Sequence, residues 1–154
     1  MSLGINLHFM EFSLFKGTLI NFHKIIGTTI LLLVALRLGW RFYNSKPSNK
    51  EVPMFHRIVS GIIHALLYLL ILWLPIQGML LTWIGGYDVV VLGLYTLPRL
   101  VGENFAFYEE FKGYHYTFTL ILSATFLIHL IGGLYHRFLS EDKYGIWKRM
   151  SFKK

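Results

Sequence analysis

Histidines placed along apolar stretches are the residues of this chain best suited to chemistry. His115 and His129 lie fourteen residues apart in one apolar segment, and His23 opens another such segment near the N-terminus. Fourteen residues are just under four turns of an α-helix, so both imidazoles of the pair would project from nearly the same face, about 21 Å apart. Because neutral imidazole is a common metal ligand, this spacing predicts two metal centres stacked along one helix.

The composition indicates an integral membrane protein. Of 154 residues, 55% are hydrophobic and only 15% are charged, and the mean hydropathy is +0.52, too apolar for an ordinary soluble domain. The absence of cysteine excludes disulfides, thiolate-held iron–sulfur clusters and covalent c-type haem, so any metal must be held by histidine or carboxylate. The 15 Lys and Arg against 8 Asp and Glu are interpreted as a topology signal, with no nucleic-acid partner.

Three segments are long enough to cross a bilayer, which needs about 20 apolar residues. The pattern predicts helices over about 18–42, 57–84 and 114–138, within a single domain spanning 1–154. A polar turn carrying Pro47 separates the first two, and we expect a short surface helix between the second and third. The predicted fold class is an all-α membrane protein, a transmembrane helical bundle.

Charge in the connections predicts the orientation of this bundle. The first connection and the tail are basic, whereas the second connection is acidic, so the positive-inside rule places the C-terminus in the cytoplasm and the N-terminus outside. The segment before Lys16 is too short to span a bilayer. We therefore expect a truncated N-terminus and a preceding helix that is absent from this chain. The basic residues are Arg41, Lys46, Lys50, Arg57, Arg137, Lys143, Lys148, Arg149, Lys153 and Lys154.

Depth in the membrane predicts which side chains can meet. His23 and His115 both lie at the outer ends of their segments, so they can face each other across a bis-histidine haem. His129 lies deeper, and His64 has a similar depth. Arg37 follows His23 by fourteen residues on the same face. An arginine within the membrane costs at least about 2.5 kcal/mol, which predicts an anionic partner such as a haem propionate or a quinone head group.

Haem suits these residues better than other metal groups. Haem brings four nitrogen ligands and a large apolar face, so the protein supplies only two imidazoles and a groove. The interior of the three segments contains no Asp or Glu, which argues against a mononuclear zinc or non-haem iron site and against a relay of membrane acids. Small residues near the histidines leave room for a porphyrin, namely Gly27, Gly113, Gly132 and Gly133.

The order of these motifs resembles the prokaryotic cytochrome b561 family over nearly the whole chain. The stretch 19–27 with Arg37 to Arg41 is similar to the second helix of that family's four. The segments that follow are similar to its third and fourth helices and its tail, through His64, Tyr68, Leu74, Pro75 and Gly78, and then Lys112, His115, His129, His136, Asp142, Arg149 and Met150. The chain would then hold three helices of a four-helix architecture.

The resemblance implies a di-haem b protein of the bacterial inner membrane that passes electrons between a periplasmic-side donor and the quinone pool. Members include a superoxide:ubiquinone oxidoreductase, and relatives serve as cytochrome b subunits of hydrogenases. In that pattern His23 and His115 ligate the outer haem iron. The inner haem takes His129 and a first-helix histidine that this chain lacks, since His8 would lie at the outer surface. Two haems follow from the family, but one from the residues present.

Other interpretations stay open at this stage. The chain could be a non-catalytic membrane anchor or partner subunit, a truncated and inactive family member, or a haem-transport protein, and a redox partner protein or a homodimer is compatible with each. His64 could simply hydrogen-bond to a neighbouring helix, and Arg37 could snorkel to the interface. If the haem interpretation holds, four cations could steer an anionic donor such as superoxide to the outer site, namely Lys16, Lys24, Arg99 and Lys112.

Overall fold

The computed structural model describes residues 2–11, 13–44 and 53–138, with the side chains of all but 2, 136 and 137. Four helices and one hairpin occupy this part of the chain: α1 (Ser2–Phe9), α2 (Leu14–Tyr43), α3 (Met54–Ile84), β1 (Val89–Val91), β2 (Tyr95–Leu97) and α4 (Phe105–Phe138). The predicted turn at 45–50 and the basic tail at 143–154 lie outside the described residues, as does the side chain of Arg137.

The three long helices confirm the predicted bundle of membrane-spanning helices. Leu14–Tyr43, Met54–Ile84 and Phe105–Tyr135 are each long and apolar enough to cross a bilayer. Large apolar side chains along all three face outward, as lipid contact requires, while the backbone groups are paired within each helix. The chain is therefore a multi-pass membrane protein.

α3 is the central helix of the bundle. It packs against both α2 and α4, whereas α2 and α4 make no direct backbone contact within the described ranges. The most apolar stretch of α3 is 17% buried against protein, compared with 6% for α2 and for α4. Its buried stripe has the three- and four-residue spacing of one helix face, and comprises Leu67, Leu70, Leu74 and Gln77.

α1 was not expected from the sequence. It bridges α2 and α4 at the end of the bundle where both of these helices begin, which we call the outer end. Leu7 is buried there. The Ser13 hydroxyl caps α2 by accepting a hydrogen bond from the Lys16 backbone N–H at 3.1 Å, so the chain leaves α1 and enters α2 with a defined break. The gap between α2 and α4 is thereby covered at the outer end.

The prediction of a short surface helix between α3 and α4 was wrong. β1 and β2 form an antiparallel hairpin, and its turn has positive φ at Leu92 (53°) and Gly93 (72°), the mirrored turn that suits the twist of paired strands. The Leu92 N–H donates to Thr28 Oγ1 at 3.4 Å, which ties the hairpin to α2. Val89 of β1 is buried.

α4 begins at Phe105, nine residues before the predicted start at Tyr114. Asn104 accounts for this, since its side-chain oxygen accepts a hydrogen bond from the Phe107 N–H at 3.3 Å and so caps the first turn. The added turns carry an ion pair between Lys112 and Glu109 at 2.9 Å. Charged residues in these turns hid the helix from a search for apolar segments.

Candidate functional site

His23 on α2 and His115 on α4 meet at the outer end of the bundle. Their ring centroids lie 6.2 Å apart, with ring planes at 88°. Two glycines line this pair: a Cβ on Gly4 would lie 3.1 Å from His23 Cε1, and a Cβ on Gly78 would lie 3.4 Å from His115 Cε1. The backbones of α1 and α3 therefore approach the two imidazoles as closely as a residue without a side chain allows.

The spacing of this outer pair fits two axial ligands of one haem. A metal–imidazole bond is about 2.0–2.1 Å and the ring centre lies roughly 1.1 Å beyond the nitrogen, so two ligands in line place their centroids about 6.3 Å apart. The observed distance is 6.2 Å. In addition, His115 Nδ1 is buried and makes no hydrogen bond among the described residues. A buried polar group without a partner costs about 1–3 kcal/mol, and a bound group could offset that cost.

A second pair of imidazoles, the inner pair, lies further along α4 and joins that helix to α3. His64 on α3 and His129 on α4 have ring centroids 5.0 Å apart at 70°. His64 Nδ1 lies 2.8 Å from the Ser60 carbonyl oxygen and 3.2 Å from the Ser60 hydroxyl. Because a carbonyl oxygen only accepts, Nδ1 carries the proton in the neutral ring, and Nε2 keeps its lone pair.

Arg37 is exposed on α2 and has neither a hydrogen bond nor an ion pair within the described ranges, so its predicted anionic partner stays a prediction. Further along α2, the Arg41 guanidinium lies 5.4 Å from the centre of the Tyr68 ring on α3. A cation–π contact of this kind is worth about 0.5–1 kcal/mol at an exposed site. Arg41 thus helps to join α2 to α3 at the inner end, where α2 terminates.

His8 lies in α1, at the outer end of the bundle. Its exposed ring stacks on Tyr116 of α4, with centroids 4.2 Å apart and planes at 16°. This contact fastens α1 to α4 beside the outer pair. The inner pair lies three to four turns further along α4, out of reach of His8.

Three features of the outer site escaped the sequence analysis: α1, the glycines that line the rings, and Gln77. Gln77 is 2% exposed, and its Oε1 lacks a hydrogen-bond partner in the described part of the chain, as does Trp83 Nε1. Gly78 could have been found, since it follows His64 by fourteen residues and so shares its face of α3. Nothing local in residues 2–9 indicates that α1 packs on His23.

The four cations proposed to steer an anionic donor are mostly engaged. Arg99 donates to Asp88 at 2.8 Å and to Glu103 at 2.9 Å, and the hydrogen bond that Asp88 accepts raises the pKa of Arg99 above its usual value. Lys112 pairs with Glu109, Lys24 lies 5.3 Å from the centre of the Tyr87 ring, and Lys16 Nζ donates to the Met10 carbonyl. Paired carboxylates reduce the positive field that the sequence suggested.

The described ranges contain no cluster of side chains suited to a bare metal ion. No three His, Cys, Asp or Glu residues there converge as a metal site would require. Haem needs only two protein ligands. The outer pair, with its ring centroids 6.2 Å apart, has the spacing that two such ligands require.

Comparisons with known proteins agree with this assignment. The sequence model of the prokaryotic cytochrome b561 family matches residues 1–153. The chain is 24% identical to Cytochrome b561 homolog 2 of Escherichia coli (strain K12), over 78% of this chain and 64% of the relative. It is 27% identical to Cytochrome b562 of Cereibacter sphaeroides, over 79% and 61%, and 24% identical to the Probable superoxide oxidase CybB of Yersinia pestis, over 80% and 69%.

The matched region of this chain thus spans less than two thirds of the length of the first two relatives. Three membrane-spanning helices, an imidazole pair at axial spacing and a family match over almost every residue lead to one conclusion. The chain belongs to the prokaryotic cytochrome b561 family of membrane-spanning haem b electron-transfer proteins.

Proposed function

We propose that this protein binds haem b between His23 and His115 and carries electrons across the outer half of the bacterial inner membrane to the quinone pool, with its C-terminus in the cytoplasm. The observation that carries the proposal is the 6.2 Å spacing of the two rings. That spacing matches two imidazoles on opposite sides of one iron.

The surrounding chain meets the needs of such a site. α2 and α4 are held apart by α3 and α1, which leaves a gap between the helices that carry the two ligands. Gly4 and Gly78 keep bulk away from the rings, and apolar side chains on the outer faces match the lipid. Haem bound there would supply one-electron redox chemistry, while the helices fix its ligands and its depth.

The donor and acceptor follow from chemistry and from relatives. One relative is named a probable superoxide oxidase, and we propose superoxide as the donor at the outer end. A membrane quinone is the proposed acceptor, with Arg37 as the cation that would meet either its head group or a haem propionate. A second copy of the chain or a partner oxidoreductase is compatible with this arrangement.

A haem assay on purified full-length protein tests the proposal. The pyridine haemochrome and the reduced-minus-oxidised spectrum should show b-type haem, and His23→Ala or His115→Ala should remove the outer haem. His8→Ala is the matched control, because its ring stacks on Tyr116 beside the pair without facing it. Superoxide should reduce the haem, and a soluble quinone analogue should reoxidise it.

Absence of b-type haem from protein made in cells competent for haem insertion would contradict the proposal. Retention of the full haem content in both His23→Ala and His115→Ala would contradict the ligand assignment. If the protein holds haem that superoxide does not reduce and quinone does not reoxidise, the result would instead favour the alternative function, a membrane anchor for a separate redox partner.

A further inference from the structure

Two buried polar atoms at the outer site lack a hydrogen-bond partner in the described ranges, and they are chemically complementary. Gln77 Oε1 is an acceptor, and His115 Nδ1 is a ring nitrogen that can carry a proton. Gln77 is 2% exposed, so bulk water does not reach its amide oxygen. Polar atoms as buried as these are nearly always paired, and each exception needs a physical explanation.

The backbone of α3 brings Gln77 to the level of the His115 ring. A Cβ on Gly78, the next residue, would lie 3.4 Å from His115 Cε1, and Cε1 is bonded directly to Nδ1. Gln77 therefore leaves α3 one residue before the point at which this helix touches the imidazole. It also belongs to the buried stripe of α3 with Leu70 and Leu74, so it points into the protein and away from lipid.

Trp83 Nε1 is also buried without a partner in the described part of the chain, but Trp83 is poorly placed to pair with Gln77. It follows Gln77 by six residues, which places it about 9 Å further along α3 and about 120° around the helix. The two side chains thus leave different faces of α3 at different levels. His115 is the residue with a complementary atom at the level of Gln77.

Ligation of iron determines which proton His115 Nδ1 carries. A neutral imidazole has one N–H and one lone pair, so a ring that gives its Nε2 lone pair to a metal carries its proton on Nδ1. Metal-bound histidines almost always donate this N–H to a carbonyl, a carboxylate or water, which fixes the ring orientation and raises the basicity of the ligand. A ligating His115 therefore needs an acceptor beside Nδ1.

We propose that Gln77 is a positioning residue of the outer haem site, whose Oε1 accepts a hydrogen bond from His115 Nδ1–H when Nε2 of that ring binds the iron. The inference rests on the proposed function and adds the residue that orients one of its ligands. The bond would satisfy both unpaired atoms at once, which explains a buried amide among the leucines of this stripe. It would also make His115 a stronger electron donor, which stabilises ferric haem and lowers the reduction potential.

The reduction potential of the haem that His115→Ala removes, measured in the purified full chain, tests the inference. Gln77→Met keeps the length of the side chain without the amide acceptor, so the potential should rise. At a fixed ambient potential the ratio of reduced to oxidised haem should increase about fivefold, as loss of one hydrogen bond predicts. Gln77→Glu keeps an acceptor oxygen and should not raise the potential.

Thr125→Val is the matched control. It also replaces a buried polar side chain, on α4, but the hydroxyl it removes is already bonded to the Ile121 carbonyl. The potential should therefore stay unchanged in this variant.

Haem content separates this inference from the proposed function. Every variant at Gln77 should keep low-spin haem at the outer site, since His23 and His115 are unchanged. An unchanged potential in Gln77→Met, or an equal rise or an equal loss of haem in Gln77→Met and Gln77→Glu, would overturn the role of Gln77 and leave the outer site standing. Loss of haem in Gln77→Met that Gln77→Glu restores would support that role. No haem in the wild type would overturn the proposed function itself.

Discussion

The two imidazole pairs are positioned by different kinds of structure. The outer pair joins α2 and α4, which do not pack on each other, and tertiary contacts from Gly4 and Gly78 enclose it. The inner pair joins α3 and α4, which do pack, and one of its rings is fixed by Ser60 in its own helix. A site between separated helices leaves room for a large group, whereas a site between packed helices depends on local orientation.

The difference also appears in hydrogen bonding. His115 Nδ1 and Gln77 Oε1 are buried without partners in the described ranges, whereas His64 is satisfied within α3. Unpaired buried polar atoms commonly mark a place where something else binds. Binding of a group at the outer pair should therefore stabilise the protein more than binding at the inner pair.

The largest effect should come from filling the space beside the outer rings. In Gly78→Val the new side chain would meet His115, because even its Cβ would lie 3.4 Å from Cε1. Overpacking costs about 1–3 kcal/mol, so we expect haem affinity at the outer site to fall about fivefold or more. Haem titration of the apoprotein measures this.

Gly39→Val is the control for this variant, since a Cβ at Gly39 meets nothing within 4 Å. Haem affinity should stay unchanged in Gly39→Val. Equal losses of haem affinity in Gly78→Val and Gly39→Val would contradict a specific effect of the space beside His115.

An intermediate effect is expected from Gln77. Replacement by Leu removes a buried oxygen that lacks a partner, so the free energy of unfolding of the haem-free protein should rise by about 1 kcal/mol. Thermal unfolding in detergent measures this change. Thr125→Val is the comparison, because the buried Thr125 hydroxyl is already bonded to the Ile121 carbonyl. A loss of stability in Gln77→Leu would contradict the unpaired state of Gln77.

The smallest effect should come from the cations at the outer end. Lys112 is paired with Glu109 at an exposed site, where such pairs are worth about 0–1 kcal/mol. Lys112→Gln should therefore slow reduction by superoxide by less than about threefold, within what that energy permits. Glu109→Gln should free the lysine and raise the rate at low salt, with the gain lost at high salt. A large drop in Lys112→Gln would restore the steering hypothesis in full.

Much of the fold could be predicted from the sequence because hydropathy reports lipid contact directly. Runs of apolar residues located α2 and α3 to within four residues at each end. The start of α4 was missed because its first turns carry Glu109, Glu110 and Lys112, which hide a helix from a hydropathy search. The hairpin was missed because its turn includes Leu92 at positive φ, a conformation that sequence patterns assign to glycine or asparagine.

For the candidate site, the sequence by itself determined the depth and the face of each histidine, since 1.5 Å and 100° per residue are properties of any α-helix. Depth predicted His23 opposite His115, and also placed His64 level with His129. Only the tertiary structure decided which rings touch, which glycines line them and how α1 covers the gap. The physical reason is that helical periodicity is local, whereas the neighbour across a gap depends on how separate helices pack.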